Sequence, residues 1–235
     1  MTRVSKMLVS VALGAMQCGL ASAAPVDLIV GETAYGQGQN AFPFGTLPEY
    51  YGYASTRYQQ VYAADLFSGP ARIQDLIFYP TSNTAAPILP ATFDVFLSVT
   101  GYGVNELSAR TFEANLGSNT QFFATMTGGF ILSGAELSIG GIPFLYDPAQ
   151  GNLLLDIRVS GAPAGHYGPF FASLTPGDIS GDGSGPFSRW TDFGRGADDY
   201  GLVTGFRFAV PESGTLALLG FGLAGLALSR RRKSI

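Results

Sequence analysis

The stretch "NLLLDIRV", residues 152–159, sets Leu153, Leu155, Ile157 and Val159 at every second position, with Asn152, Asp156 and Arg158 between them. A β-strand turns successive side chains to opposite faces, so this spacing gives one apolar and one polar face and marks a half-buried strand. The same period recurs upstream in "FDVFLSV" (93–99), where Phe93, Val95, Leu97 and Val99 alternate with Asp94, Phe96 and Ser98. Further on, "LVTGFRF" (202–208) puts Leu202, Phe206 and Phe208 on one face. "RYQQVYA", "ARIQDLIFY" and "FFATMTGGFIL" read as strands too. Clusters of turn formers separate them: "SGP" (68–70), "YPTSN" (79–83), "GYG" (101–103) and "YDPAQGN" (146–152). No part of this region carries a 3.6-residue period. The expected fold is all-β, a two-sheet β-sandwich with the jelly roll as one form of it.

Composition agrees. Of 235 residues, 32 are glycine and only 13% are charged, against about 25% in an ordinary globular domain. Many glycines among many aromatics fit short strands joined by tight turns. The length suits one domain plus targeting segments. Charge is segregated: Arg3 and Lys6 stand near the start, and Arg230, Arg231, Arg232 and Lys233 near the end. Between them lie seven arginines, no lysine and all seventeen acidic residues, a net charge of −10. Such a body repels a phosphate backbone, which argues against nucleic acid as a partner.

The two ends read as addresses. Residues 1–23 combine two basic residues, an apolar run and "ASA" (21–23), the pattern of a secretory signal peptide cut after Ala23. Cys18, the only cysteine, would leave with it, so no disulfide would hold the mature chain. The body is then 24–209. Beyond it, residues 214–229 form an apolar run rich in Gly, Leu and Ala. As a helix this run measures about 24 Å against a hydrocarbon core of about 30 Å, a short single span. The following cation cluster would be held in the cytoplasm.

A Pro-Glu pair (Pro211, Glu212), a short Gly/Leu/Ala helix and the terminal cluster Arg230, Arg231, Arg232 together resemble the PEP-CTERM sorting signal of Gram-negative bacteria, over 210–235. Ser213 stands where the signal usually has its second proline. The resemblance implies recognition by an exosortase, a membrane cysteine transpeptidase. It also implies removal of the tail near Pro211-Glu212, inner-membrane anchoring until then, and a final place on the cell surface or in the extracellular matrix. The body resembles exosortase-sorted surface proteins as well, through "NAFPFG" (40–45), "RYQQVYAADLFSGPARIQDLIFYP" (57–80), "FLYDPAQGNLLLDI" (144–157) and "YGLVTGF" (200–206). That likeness implies location and architecture, and no chemistry.

The residues themselves offer little chemistry. A hydrolase triad needs a base beside its nucleophile, yet His166, in a Gly/Pro-rich loop, is the only histidine. No G-x-S-x-G elbow and no nucleotide-binding glycine motif occurs. Asp178, Ser180 and Asp182, followed by Gly183, resemble the start of a calcium loop, but Arg189 stands where the bidentate Glu belongs. Asp178 and Asp182, helped by Asp192, Asp198 or Asp199, remain weak calcium candidates beside the plainer reading of an Asx-turn loop. Tyr35, Phe42, Phe44, Tyr50, Tyr51, Tyr53, Tyr58 and Tyr62 form an aromatic cluster that either stacks on sugar rings or packs a sheet, packing being the favoured reading. The expectation is a non-enzymatic envelope or matrix protein without a cofactor, with exosortase, the membrane and exopolysaccharide as partners. A glycan-active enzyme with two carboxylates across a cleft and an ice-binding or adhesive protein are the alternatives.

Overall fold

The computed structural model describes residues 27–31, 38–46, 57–81, 84–104, 106–108, 111–163, 168–173, 187–190, 197–198 and 201–209. Fourteen strands lie among them. The chain begins with β1 (Asp27–Val30), β2 (Gly38–Asn40), β3 (Arg57–Tyr62), β4 (Ala71–Phe78) and β5 (Ala86–Pro87). It continues through β6 (Thr92–Thr100), β7 (Gln121–Thr127), β8 (Ile131–Leu132), β9 (Leu137–Tyr146) and β10 (Asn152–Ser160). It closes with β11 (Phe171–Ser173), β12 (Phe187–Trp190), β13 (Ala197–Asp198) and β14 (Thr204–Phe208). Helical structure among the described residues is confined to 3-10 turns such as Ala64–Leu66, Glu113–Asn115 and Pro148–Gln150. None of these is long and apolar enough to cross a membrane.

Two sheets carry the fold. The smaller runs β1-β14-β4-β9 and the larger β13-β12-β3-β10-β6-β7, with the pairs β11-β2 and β5-β8 beside them. The registered pairs of both large sheets are antiparallel. Within these two sheets only β6-β7 and β12-β13 join strands consecutive in the chain, so most connections cross from one sheet to the other.

One core lies between the sheets. Leu153, Leu155 and Ile157 of β10, Phe93, Val95 and Leu97 of β6, and Tyr58 and Tyr62 of β3 enter it from the larger sheet. Ile73, Leu76 and Phe78 of β4, Ile139 and Phe144 of β9, and Phe206 of β14 enter from the smaller. The period-two expectation for 93–99 and 152–159 therefore describes the core-facing rows. The turn signals also hold: at 146–152 the Asp147 carboxylate accepts from the Ala149 N–H at 3.0 Å and caps the turn at Pro148–Gln150. Gly151 follows with φ 137°, a conformation that favours glycine.

One reading changes in detail, and one strand is new. "FFATMTGGFIL" is not one strand but β7 and β8, because Gly128 lies where a Cβ would press on the Leu89 carbonyl and Gly129 has φ 87°. The longest strand, β9, lies where no strand was expected and runs through Gly140-Gly141 and Pro143, residue types that are disfavoured inside strands. Gly141 is required by closeness: a Cβ there would sit 2.5 Å from the Phe123 carbonyl oxygen on β7. Pro143 is tolerated because β9 is an edge strand.

Candidate functional site

Four residues of the aromatic cluster are core, in line with the packing reading. Tyr58 and Tyr62 are 0% exposed, and Phe42 and Phe44 are buried with them. Phe42 meets Tyr58 edge-on at 5.6 Å, and Phe44 packs against Phe78, Phe93 and Phe171. The buried hydroxyls have partners, as buried polar groups require. Tyr62 Oη pairs with Thr204 Oγ1 at 2.8 Å, and the Leu202 N–H donates to Tyr58 Oη at 3.0 Å. Gln60 completes the group: it accepts from the Tyr58 hydroxyl and from the Leu202 N–H, and donates to the Leu202 carbonyl at 2.8 Å. These bonds fix the approach to β14. Burial first, then the neighbouring Tyr58, pushes the Tyr62 hydroxyl well above its ordinary range. Tyr35, Tyr50, Tyr51 and Tyr53 lie outside the described residues.

Charge converges on the outer face of the larger sheet. Asp156 of β10 points away from the core, yet is 1% exposed. Its register partners are Gln59 on β3 and Phe96 on β6, while Arg158 lies opposite Arg57 and Asp94. Arg57 grips the carboxylate with a fork, Nε to Oδ1 at 2.6 Å and Nη2 to Oδ2 at 2.8 Å. Gln59 Nε2 donates to Oδ1 at 3.2 Å and Arg158 Nε to Oδ2 at 3.1 Å. Both oxygens thus accept twice. Glu113 closes on the far side of Arg57 through Nη1.

A cover explains the burial. Segments 101–104, 106–108 and 111–120 cover this face, and Tyr102, Leu107, Phe112 and Leu116 pack with Val61 and Leu154 into a second apolar cluster. Asn115, buried in the turn at Glu113–Asn115, donates to Gln59 Oε1 at 2.9 Å and accepts from the Ser108 N–H at 2.6 Å. Gln59 in turn donates to the Phe112 carbonyl at 3.0 Å.

Electrostatics follow from this packing. Desolvation pulls the Arg57 guanidinium down, but hydrogen bonds and charge from Asp156, then Glu113, outweigh it and raise it. The Glu113 carboxyl is lowered by its own backbone N–H first and by Arg57 second. Two arginines and two carboxylates balance, so the cluster is neutral and internally satisfied. Such a group holds structure well. Asp156 itself, with four donors on its two oxygens, has no lone pair left for proton transfer.

The exposed margin is different in kind. Arg158 lies over the Phe96 ring at 4.2 Å, and Phe96 meets Phe122, which is 40% exposed, at 5.7 Å. Asp94 accepts from Thr125 Oγ1 at 2.6 Å alongside. This ladder of ring, ring and guanidinium offers stacking and cation–π contact. Sequence reading missed it because Phe96 and Phe122 sit on different strands, and only pairing brings them together.

The structure does not describe the side chains of the remaining candidates. His166, Asp178, Asp182, Asp192, Asp199, Pro211, Glu212, Arg230, Arg231 and Arg232 lie outside the described residues, and Asp198 is placed only as backbone of β13. Among the described residues no group of three or more His, Cys, Asp or Glu side chains is arranged to hold a metal ion.

The fold so far is an all-β body whose last strand is interior to a sheet and ends at Phe208. Immediately after it, residues 209–233 match the family model of the PEP-CTERM protein-sorting motif. That motif marks the chain for exosortase-dependent sorting to the cell envelope. No curated protein and no solved structure matches the chain.

Proposed function

We propose that this chain is a non-enzymatic surface protein of a Gram-negative bacterium, exported by the signal peptide 1–23. In this reading the helix 214–229 holds it in the inner membrane until exosortase cuts near Pro211-Glu212, with Arg230, Arg231 and Arg232 on the cytoplasmic side. The body 24–209 then acts as a β-sandwich module of the envelope or exopolysaccharide matrix. The observation that carries this is the sorting motif beginning at residue 209, one position after β14 ends. The saturated Asp156 cluster supports a structural rather than catalytic use of its carboxylates.

Contact with polysaccharide would fall on the Phe96–Phe122–Arg158 ladder, since Tyr58 and Tyr62 are buried. A single stacking site binds weakly, so useful avidity would come from many copies on one surface. Purified 24–209 should be titrated against the host's exopolysaccharide, with and without calcium, beside Phe122→Ala, Arg158→Ala and Tyr51→Ala. Weak saturable binding that falls with Phe122→Ala or Arg158→Ala is expected. A calcium-dependent gain would implicate Asp178 and Asp182. Shortening of the polysaccharide would overturn the non-enzymatic reading in favour of a glycan-active enzyme.

A further inference from the structure

The described body runs up to residue 209, where the sorting motif begins. Phe206 is fully buried and meets Tyr62 and Phe67 edge-on, and Phe208 meets the Phe67 ring at 6.4 Å. The Ala209 N–H still donates to the Arg72 carbonyl at 2.8 Å. Pro211 and Glu212 follow two and three residues later, so even a fully extended chain carries Glu212 only about 10 Å from this last bond. A protein interface of ordinary size covers about 800 Å² on each partner, a disc of about 16 Å radius. An enzyme seated on Pro211-Glu212 must therefore overlap the end of the small sheet.

That end is defined by register. Arg72 of β4 pairs with Leu145 of β9, and both point to solvent, Leu145 being 67% exposed. Strands in a sheet lie about 4.8 Å apart, so Leu145, two strands over from β14, is about 10 Å from Ala209. Arg207 and Asp75, 3.9 Å apart, continue the same end. Asp27, where β1 begins, is registered with Arg207, so the chain enters and leaves the small sheet at one end.

We propose that this end, presenting Arg72 and Leu145, is the surface on which the membrane-embedded sorting enzyme docks while it processes the chain. The proposal rests on the reading that an exosortase cleaves near Pro211-Glu212. It makes recognition bipartite: the motif supplies the cleaved peptide, and the folded body supplies an exposed apolar–cationic pair beside it. The opposite end, where Glu136 is exposed ahead of β9, stays out of reach.

The test uses the full chain in its host, with Cys18→Ser so that one introduced cysteine carries a photo-activated cross-linker. Leu145→Cys and Arg72→Cys are compared with Glu136→Cys, in cells holding a sorting enzyme inactivated at its cysteine. Adducts with the enzyme from positions 145 and 72, several-fold above those from 136, are expected. Insertion of about 20 Gly/Ser residues between Ala209 and Val210, long enough to free the body from the enzyme, should abolish the difference. Equal adducts from all three positions, adducts with lipid alone, or a difference that survives the spacer would overturn the docking surface. The underlying reading is checked separately: if the chain reaches the same final size in cells with and without active enzyme, that reading fails whatever the cross-links show.

Discussion

At the scale of single residues, Asp156 is where charge does the most for the fold. Its carboxylate is out of water and held by Arg57, Arg158 and Gln59. Removing one partner of a buried ion pair strands the other and costs about 3–5 kcal/mol. Asp156→Ala should lower the urea midpoint accordingly, whereas Glu113→Gln, at a side chain 71% exposed, should cost under about 1 kcal/mol because solvent screens that pair. Tyrosine sets the alkaline limit. Burial, then Asp147, pushes the Tyr146 hydroxyl from 10.0 to about 12. A folded-state value raised in this way gives stability that is whole below the unfolded value and is lost as pH rises through the folded one. The melting temperature should therefore fall from about pH 10 upward. Tyr146→Phe gives up the hydrogen bond to the Gly151 carbonyl, about 1 kcal/mol at neutral pH, and should flatten that alkaline fall. An alkaline limb as steep in Tyr146→Phe as in the parent would refute the assignment.

At the scale of elements, close approach governs β9. Gly141→Ala would drive a methyl group into the Phe123 carbonyl and ring, and should cost about 1–3 kcal/mol by denaturant titration. Gly69→Ala, with nothing within 4 Å, should be near neutral. This contrast shows what the sequence withholds. Alternation at 93–99 and 152–159 was legible because it depends only on neighbours along the chain. Strand β9 was not legible, because what calls for glycine at position 141 is another strand. The cover 101–120 was hidden for the same reason: Leu154 sits on the polar face of its strand and is buried only by Leu107, Phe112 and their neighbours. Leu154→Ala should cost about 2–5 kcal/mol. It should also speed hydrogen exchange in 101–120 ahead of the core strands, a local loosening that a purely global loss of stability would not produce.

At the scale of the molecule, the last strand decides what counts as a domain. β14 lies between β1 and β4, so the small sheet cannot close until residue 208 is in place. The fragment 24–209 should fold alone and show sheet with little helix by far-UV circular dichroism, while 24–200, lacking β14, should not fold. The destination was legible in the sequence because a sorting signal is local. The work done there was not, since a surface feature such as the Phe96–Phe122 ring pair exists only after strand pairing. The account stands on the claim that a folded body is delivered to the envelope and cut free beside β14. The most direct test is the intact mass of the protein recovered from the host surface, with and without active exosortase. The account predicts a peptide beginning at Ala24 and ending near Pro211-Glu212 in the parent, bearing whatever the enzyme attaches there, and a membrane-bound form keeping 213–235 when the enzyme is absent. A surface form that retains 213–235 in cells with active enzyme would contradict it.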